Sequence, residues 1–237
     1  YSQATFVGRN VEAIDEDIED FLYQVSLEYV GSHYCGGVLI HPTWILTIAH
    51  CFDLDRAEAH FSVHIGTSYV GSGGQVFNVT KIIVHPNYNF ITNDYDVALV
   101  KLSSVVPDTV ANSITLASEG SQPKVGDMVT ITEWGKDGKS STLLRIVQLP
   151  IVSYADCGNA YFSRFKITPR MFCAGFMNEI QVTCVGGAGG AVIVNGYLQG
   201  IVSGSIGCHH YNNFLSIDIN IAYFTKWILD TIEEYNN

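Results

Sequence analysis

The chain has 237 residues, 47% of them hydrophobic and 15% charged, with 22 Gly, six Cys and a net charge of 12 − 23 = −11. That apolar fraction excludes a disordered chain, and the length allows a large core in one or two domains. Lys and Arg are few and scattered, and no apolar run approaches the roughly 18 residues of a membrane span, so neither nucleic acid nor a membrane is expected as a partner. No basic-then-apolar leader opens the chain, so any signal peptide is expected to have been removed. Six Cys with no CxxC pair read as disulfides of an oxidising compartment rather than as a zinc site.

The first segment to stand out, 11–20, carries Glu12, Asp15, Glu16, Asp17, Glu19 and Asp20. It reads as a solvated loop or as a patch for a basic partner. Short apolar runs rich in Val, Ile, Thr, Tyr and Phe follow at 21–29, 35–41, 61–67, 77–85, 97–102, 128–134, 191–203 and 214–221. Runs of this length, separated by Gly, Asn, Asp or Pro, predict an all-β sandwich or barrel. Asn195-Gly196 between two apolar runs predicts a hairpin. The tail 221–235 places apolar residues at 221, 224, 227, 228 and 232, which predicts a lone terminal helix packed on the β body. Asn78-Val79-Thr80 is a possible glycosylation sequon.

Three segments in chain order form a recognisable set. "WILTIAHC" (44–51) contains His50, "NDYDVALVKL" (93–102) contains Asp96, and "CVGGAGGAV" (184–192) is a Gly-rich turn. Together they resemble the chymotrypsin and trypsin-like serine proteases, whose catalytic triad runs His, Asp, Ser in that order. The resemblance covers nearly the whole chain. It implies two six-stranded antiparallel β-barrels, roughly 6–115 and 116–237, forming one protease-like domain 1–237 with a C-terminal helix and the site in the cleft between the barrels. It also implies the disulfides Cys35–Cys51, Cys157–Cys173 and Cys184–Cys208, where the sequence alone allows 15 pairings.

The departures from the family pattern are specific. The nucleophile position holds Ala188, whose methyl neither donates a proton to His50 nor forms an acyl intermediate. The oxyanion-hole positions are Gly186 and Ala188. Gly187 stands where the family has the Asp that pairs with the new amino terminus after activation, so the turn is expected to lack what holds its amides as donors. "YSQAT" precedes "FVGRN" (6–10), with Thr5 where activating enzymes require a basic residue. Val182 replaces the pocket carboxylate of the trypsin branch, and Ser203-Gly204-Ser205 replaces Ser-Trp-Gly. Tyr211 or Phe214 is placed to block the pocket mouth. His209 and His210 are adjacent without a third ligand, and the loop 64–75 has no carboxylate for a calcium ion, so no metal and no cofactor is expected.

A pseudoprotease is the reading these departures favour. Among such proteins the chain most resembles the inactivated protease paralogues of the scabies mite, related to the mite group 3 allergens, through "KVGDMVTI" and "LPIVSYADC". That resemblance implies secretion into the mite gut and inhibition of host complement by binding its recognition and regulatory proteins. The alternatives are a regulatory decoy for protease inhibitors or active paralogues, and a weak residual hydrolase using His50, Asp96 and a water.

Overall fold

The computed structural model describes residues 14–15, 21–134, 143–162, 166–177, 187–205 and 213–236. A two-residue strand β1 (Ile14–Asp15) comes first. It is followed by β2 (Gln24–Tyr29), β3 (Ser32–His41), β4 (Trp44–Thr47), β5 (Phe61–Ile65), β6 (Gln75–Val84) and β7 (Ala98–Leu102). These six close into an antiparallel barrel in the order β2-β3-β4-β7-β6-β5. Its interior is filled by Val25, Leu27, Val38, Leu46, Val63, Ile65 and Leu99, all fully or almost fully buried.

The second half supplies β8 (Met128–Glu133), β9 (Arg145–Pro150), β10 (Met171–Phe172), β11 (Gly175–Met177), β12 (Ala191–Val194), β13 (Tyr197–Ser205) and β14 (Asn213–Asn220). They form a sheet in the order β1-β9-β8-β12-β13-β14-β10, with β11 also paired to β14. Ile151 lies opposite Ala174, and the Val152 N–H donates to Cys173 O at 3.0 Å, so the end of β9 meets the edge next to β10 and the sheet curls on itself. Val129, Ile131, Val147, Leu149, Phe172, Val192 and Val202 make its apolar interior. Asn195 and Gly196, at φ 50° and 81°, form the expected tight turn between β12 and β13, where Asn and Gly accept left-handed backbone at little cost.

Three details differ from expectation. β1 pairs with β9, so a segment that precedes the first barrel in sequence lies on the second sheet. The terminal helix α2 runs over Thr225–Asn236, not from 221, because the Asn220 side chain accepts Ala222 N and closes 221–223 as a separate 3-10 turn. Nor is it the lone helix: α1 (Tyr154–Tyr161) is capped by Ser153, whose Oγ accepts the Asp156 N–H at 3.1 Å. Only Cys157 and Tyr161 of α1 are buried, too few apolar positions to show as a helical stripe.

α2 crosses back to the first barrel. Trp44 Nε1 donates to Asn236 Oδ1 at 3.1 Å, and Lys101 Nζ donates to Tyr235 O, placing a cation at the helix C-terminus. Gln24 is another tie between the halves. Fully buried on β2, its Oε1 accepts from Thr132 Oγ1 (2.7 Å) and Ala191 N (3.0 Å) while its Nε2 donates to Gly37 O (3.0 Å). Gln24→Leu strands these donors and the acceptor inside the protein, each a loss of about 1 to 3 kcal/mol before relaxation. Urea denaturation is expected to show a net loss of about 3 kcal/mol.

Candidate active site

His50 lies in a 3-10 turn, Ala49–Phe52, that directly follows β4 and is pinned by the Cys35–Cys51 disulfide. Asp96 sits two residues before β7, after a loop in which Tyr95 adopts φ 58°. Arg170 fixes that loop from the second barrel, with Nε and Nη2 donating to Asp94 at 2.8 and 2.6 Å and the guanidinium 4.5 Å from the Tyr95 ring centre. Asp96 is fully buried and accepts three hydrogen bonds: from the His50 ring Nδ1 at 2.7 Å, from the His50 backbone at 2.9 Å, and from Ser203 Oγ at 2.6 Å. With its Nδ1 proton held by Asp96, the ring keeps Nε2 as its acceptor when neutral. Burial opposes protonation of His50, but the Asp96 hydrogen bond and charge, with Asp53 beyond, outweigh it and raise the imidazole pKa above its ordinary value. Ser203, one of the pocket positions expected from the sequence, donates its hydroxyl to Asp96.

The Gly-rich turn is wedged between the barrels. Ala188 O accepts Gly36 N at 2.7 Å, Gly189 N donates to Val202 O at 2.7 Å, and Val202 N donates to Gly190 O at 2.9 Å. Val202 is the chain neighbour of Ser203, so the turn carrying Ala188 is tied one residue away from the group that buttresses Asp96. The approach is too close for side chains. A Cβ on Gly189, at φ +89°, would lie 2.1 Å from Gly36 O, and one on Gly36 would lie 2.9 Å from Gly189 C.

Residues 11–228 match the family model described as Trypsin. This chain belongs to the trypsin family. It is 36% identical to Trypsin 5G1 of Aedes aegypti over 228 residues, covering 93% of this chain and 84% of that protein. Against Trypsin-1 of Salmo salar it is 36% identical over 217 residues (90% and 86%), and against Trypsin of Sus scrofa 36% over 215 residues (89% and 90%). The closed first barrel, the second sheet and the C-terminal helix accord with the two-barrel fold of the trypsin family. Cys35–Cys51 and Cys157–Cys173 are formed as the family resemblance implies.

Two acidic side chains that the sequence did not single out lie behind the Gly-rich turn. Glu133, at the end of β8, is 3% exposed, and its Oε2 accepts the N–H of Gly187. A Cβ at 187 would meet Glu133 Cβ at 2.7 Å and Oε2 at 3.0 Å. Glu133 thus sets a carboxylate from the neighbouring strand against the Gly187 amide. The second is Asp218 on β14, fully buried opposite Val202 and Phe172. Ser216 Oγ donates to its Oδ2 at 2.6 Å, while Oδ1 has no partner among the described residues. Burial, reinforced by the Glu133 charge and only partly offset by Ser216, raises its pKa from 3.8 to about 8. A strand Asp between Ile217 and Ile219 was the available signal.

Other predicted positions are scattered. Gly204 borders open space where a Cβ would touch nothing within 4 Å. Ser205 is the last residue of β13. Asn78 is exposed on β6, opposite Ser62. The loop 66–74 is closed by His64 Nε2 against Gly73 O at 2.6 Å and by Thr67 Oγ1 donating to Ser72 O at 2.7 Å. Val182, Gly186, Cys184–Cys208, His209, His210 and Tyr211 lie outside the described residues, as does most of the acidic stretch.

Proposed function

We propose that this chain is a secreted, proteolytically inactive member of the trypsin family that works by binding, with host complement recognition and regulatory proteins as its targets. Ala188 carries the inactivity. Set at the nucleophile position by the family motif, it leaves His50 with no hydroxyl to deprotonate, and loss of such a nucleophile costs on the order of 10⁶ in kcat, about 8 kcal/mol. The relatives above bear the name trypsin; this reading parts from that name first at Ala188. Two disulfides support an oxidising, extracellular setting, and the resemblance to scabies mite paralogues adds the mite gut and complement. Purified protein at micromolar concentration is expected to reduce complement haemolysis and to turn over no ester or peptide substrate. Undiminished lysis would sink the complement assignment.

The His50–Asp96 hydrogen bond, which leaves Nε2 as the ring's acceptor, favours a second reading, slow hydrolysis by a water that His50 activates. It predicts ester turnover that disappears in His50→Ala. A regulatory decoy is separated from both by pull-down, which would return protease inhibitors or active paralogues in place of complement proteins.

A further inference from the structure

A cavity of about 90 Å³ opens on the first barrel beside the Cys35–Cys51 disulfide, lined by Tyr29, Tyr34, Cys51, Leu54, Asp55 and Phe61. Cys51 is the neighbour of His50, yet neither His50 nor Asp96 lines the cup. Tyr29 is its central ring, with centroids 5.8 Å from Tyr34 and 5.2 Å from Phe61. The one charge in the lining is Asp55. Its Oδ1 accepts Ala57 N at 2.8 Å, and its Oδ2 accepts His60 Nδ1 at 2.5 Å and Tyr29 OH at 3.1 Å. Those donors orient the carboxylate and leave Oδ1 with an acceptor site to spare, since each carboxylate oxygen accepts two hydrogen bonds.

The rim is apolar and uncovered. Leu54 is 90% exposed and Tyr34 42%. Val30 follows Tyr29, is 70% exposed, and holds φ 50°, a left-handed conformation that β-branched residues rarely adopt. Around the cup, residues 53–58 carry Asp53, Asp55 and Glu58 against Arg56 alone.

We propose that this cup is an anchor site for one Lys or Arg side chain of a partner polypeptide. Its size suits a single side chain, far below the several hundred Å³ of a small-molecule pocket. A purely apolar anchor would cover Asp55 Oδ1 and leave its spare acceptor site without a donor, which is unfavourable. A basic side chain meets both halves of the lining. Its methylene stem lies along Leu54 and the aromatic rings, and its cationic head pairs with Asp55 beside the ring faces. Arg and Tyr dominate such anchors at protein interfaces, with a surrounding apolar collar that excludes water.

The proposal names the chemistry of a partner and rests on the binding reading only for that partner's biological identity. The cup is tested alone, on the full chain, by NMR titration with acetyl-Gly-Arg-Gly-amide against the same peptide carrying citrulline or Leu. Saturable shifts at Tyr34 and Leu54 are expected with Arg, at least tenfold weaker with uncharged citrulline. Asp55→Asn should weaken Arg binding at least tenfold. Leu54→Ser, at an exposed position that does not threaten folding, should weaken it several-fold with unchanged Tm. Equal or tighter binding of the Leu peptide, or Arg binding indifferent to both variants, overturns the proposal. Complement inhibition without Arg-peptide binding overturns the cup and spares the binding reading; Arg-peptide binding without complement inhibition does the reverse.

Discussion

Asp218→Asn flattens the pH dependence of stability between pH 4 and pH 8, and the variant gains on the parent by on the order of 4 kcal/mol across that range. The sign follows from where the proton sits. In the folded protein Asp218 keeps its proton up to about pH 8, because burial and the Glu133 charge disfavour the carboxylate. In the unfolded chain it releases the proton near its ordinary 3.8. Between those values the folded state holds more protons, so stability falls as pH rises and levels off above pH 8. Asn is neutral throughout and close in shape. Whatever it loses in hydrogen bonding at this site is the same at every pH, so it cancels when the two profiles are subtracted. Urea unfolding of both proteins at pH 4.5, 6, 7 and 8 gives the answer. Parallel profiles would mean that Asp218 titrates near its ordinary value and that its surroundings are wetter than the burial indicates.

That prediction concerns a residue whose surroundings the sequence concealed. Alternation along β14 puts Leu215, Ile217 and Ile219 on one face and Ser216, Asp218 and Asn220 on the other, which reads as a strand with a wet side. Both faces are covered. Leu215, Ile217 and Ile219 pack into the core shared with the first barrel and α2, while Asp218 points the way of Val202 and Phe172 into the second barrel. A period of two reveals which residues share a face and nothing about what covers it. Glu133 is hidden by the same ambiguity, a terminal strand residue in line with Val129 and Ile131. Legible parts were those with chemistry fixed by residue type and order: the barrel strands, His50 and Asp96, the Asn195-Gly196 turn, and the pairing of four cysteines once the family was recognised. The helix α1 and the cup at Tyr29 depend on tertiary neighbours and had no local signature.

Gly187→Asp alone is expected to destabilise the protein by about 3 to 5 kcal/mol, the range for an overpacked site that also acquires an unpaired buried charge. The added Cβ falls within 3 Å of Glu133 Cβ, and the new carboxylate enters a region already holding Glu133, whose charge reaches Asp218. Glu133→Gly removes both the atoms in the way and the like charge, so the cost of Gly187→Asp in that background should shrink by about 2 kcal/mol or more. This is a coupling well outside the few tenths of a kcal/mol expected of independent sites. A double-mutant cycle by chemical denaturation measures it. Additive costs within about 0.5 kcal/mol would show that Glu133 neither fills the space at 187 nor holds the turn. Strong coupling identifies one carboxylate site under the Gly-rich turn that either residue can furnish. Gly at 187 is then explained by close packing: with Glu133 in place, no larger residue fits.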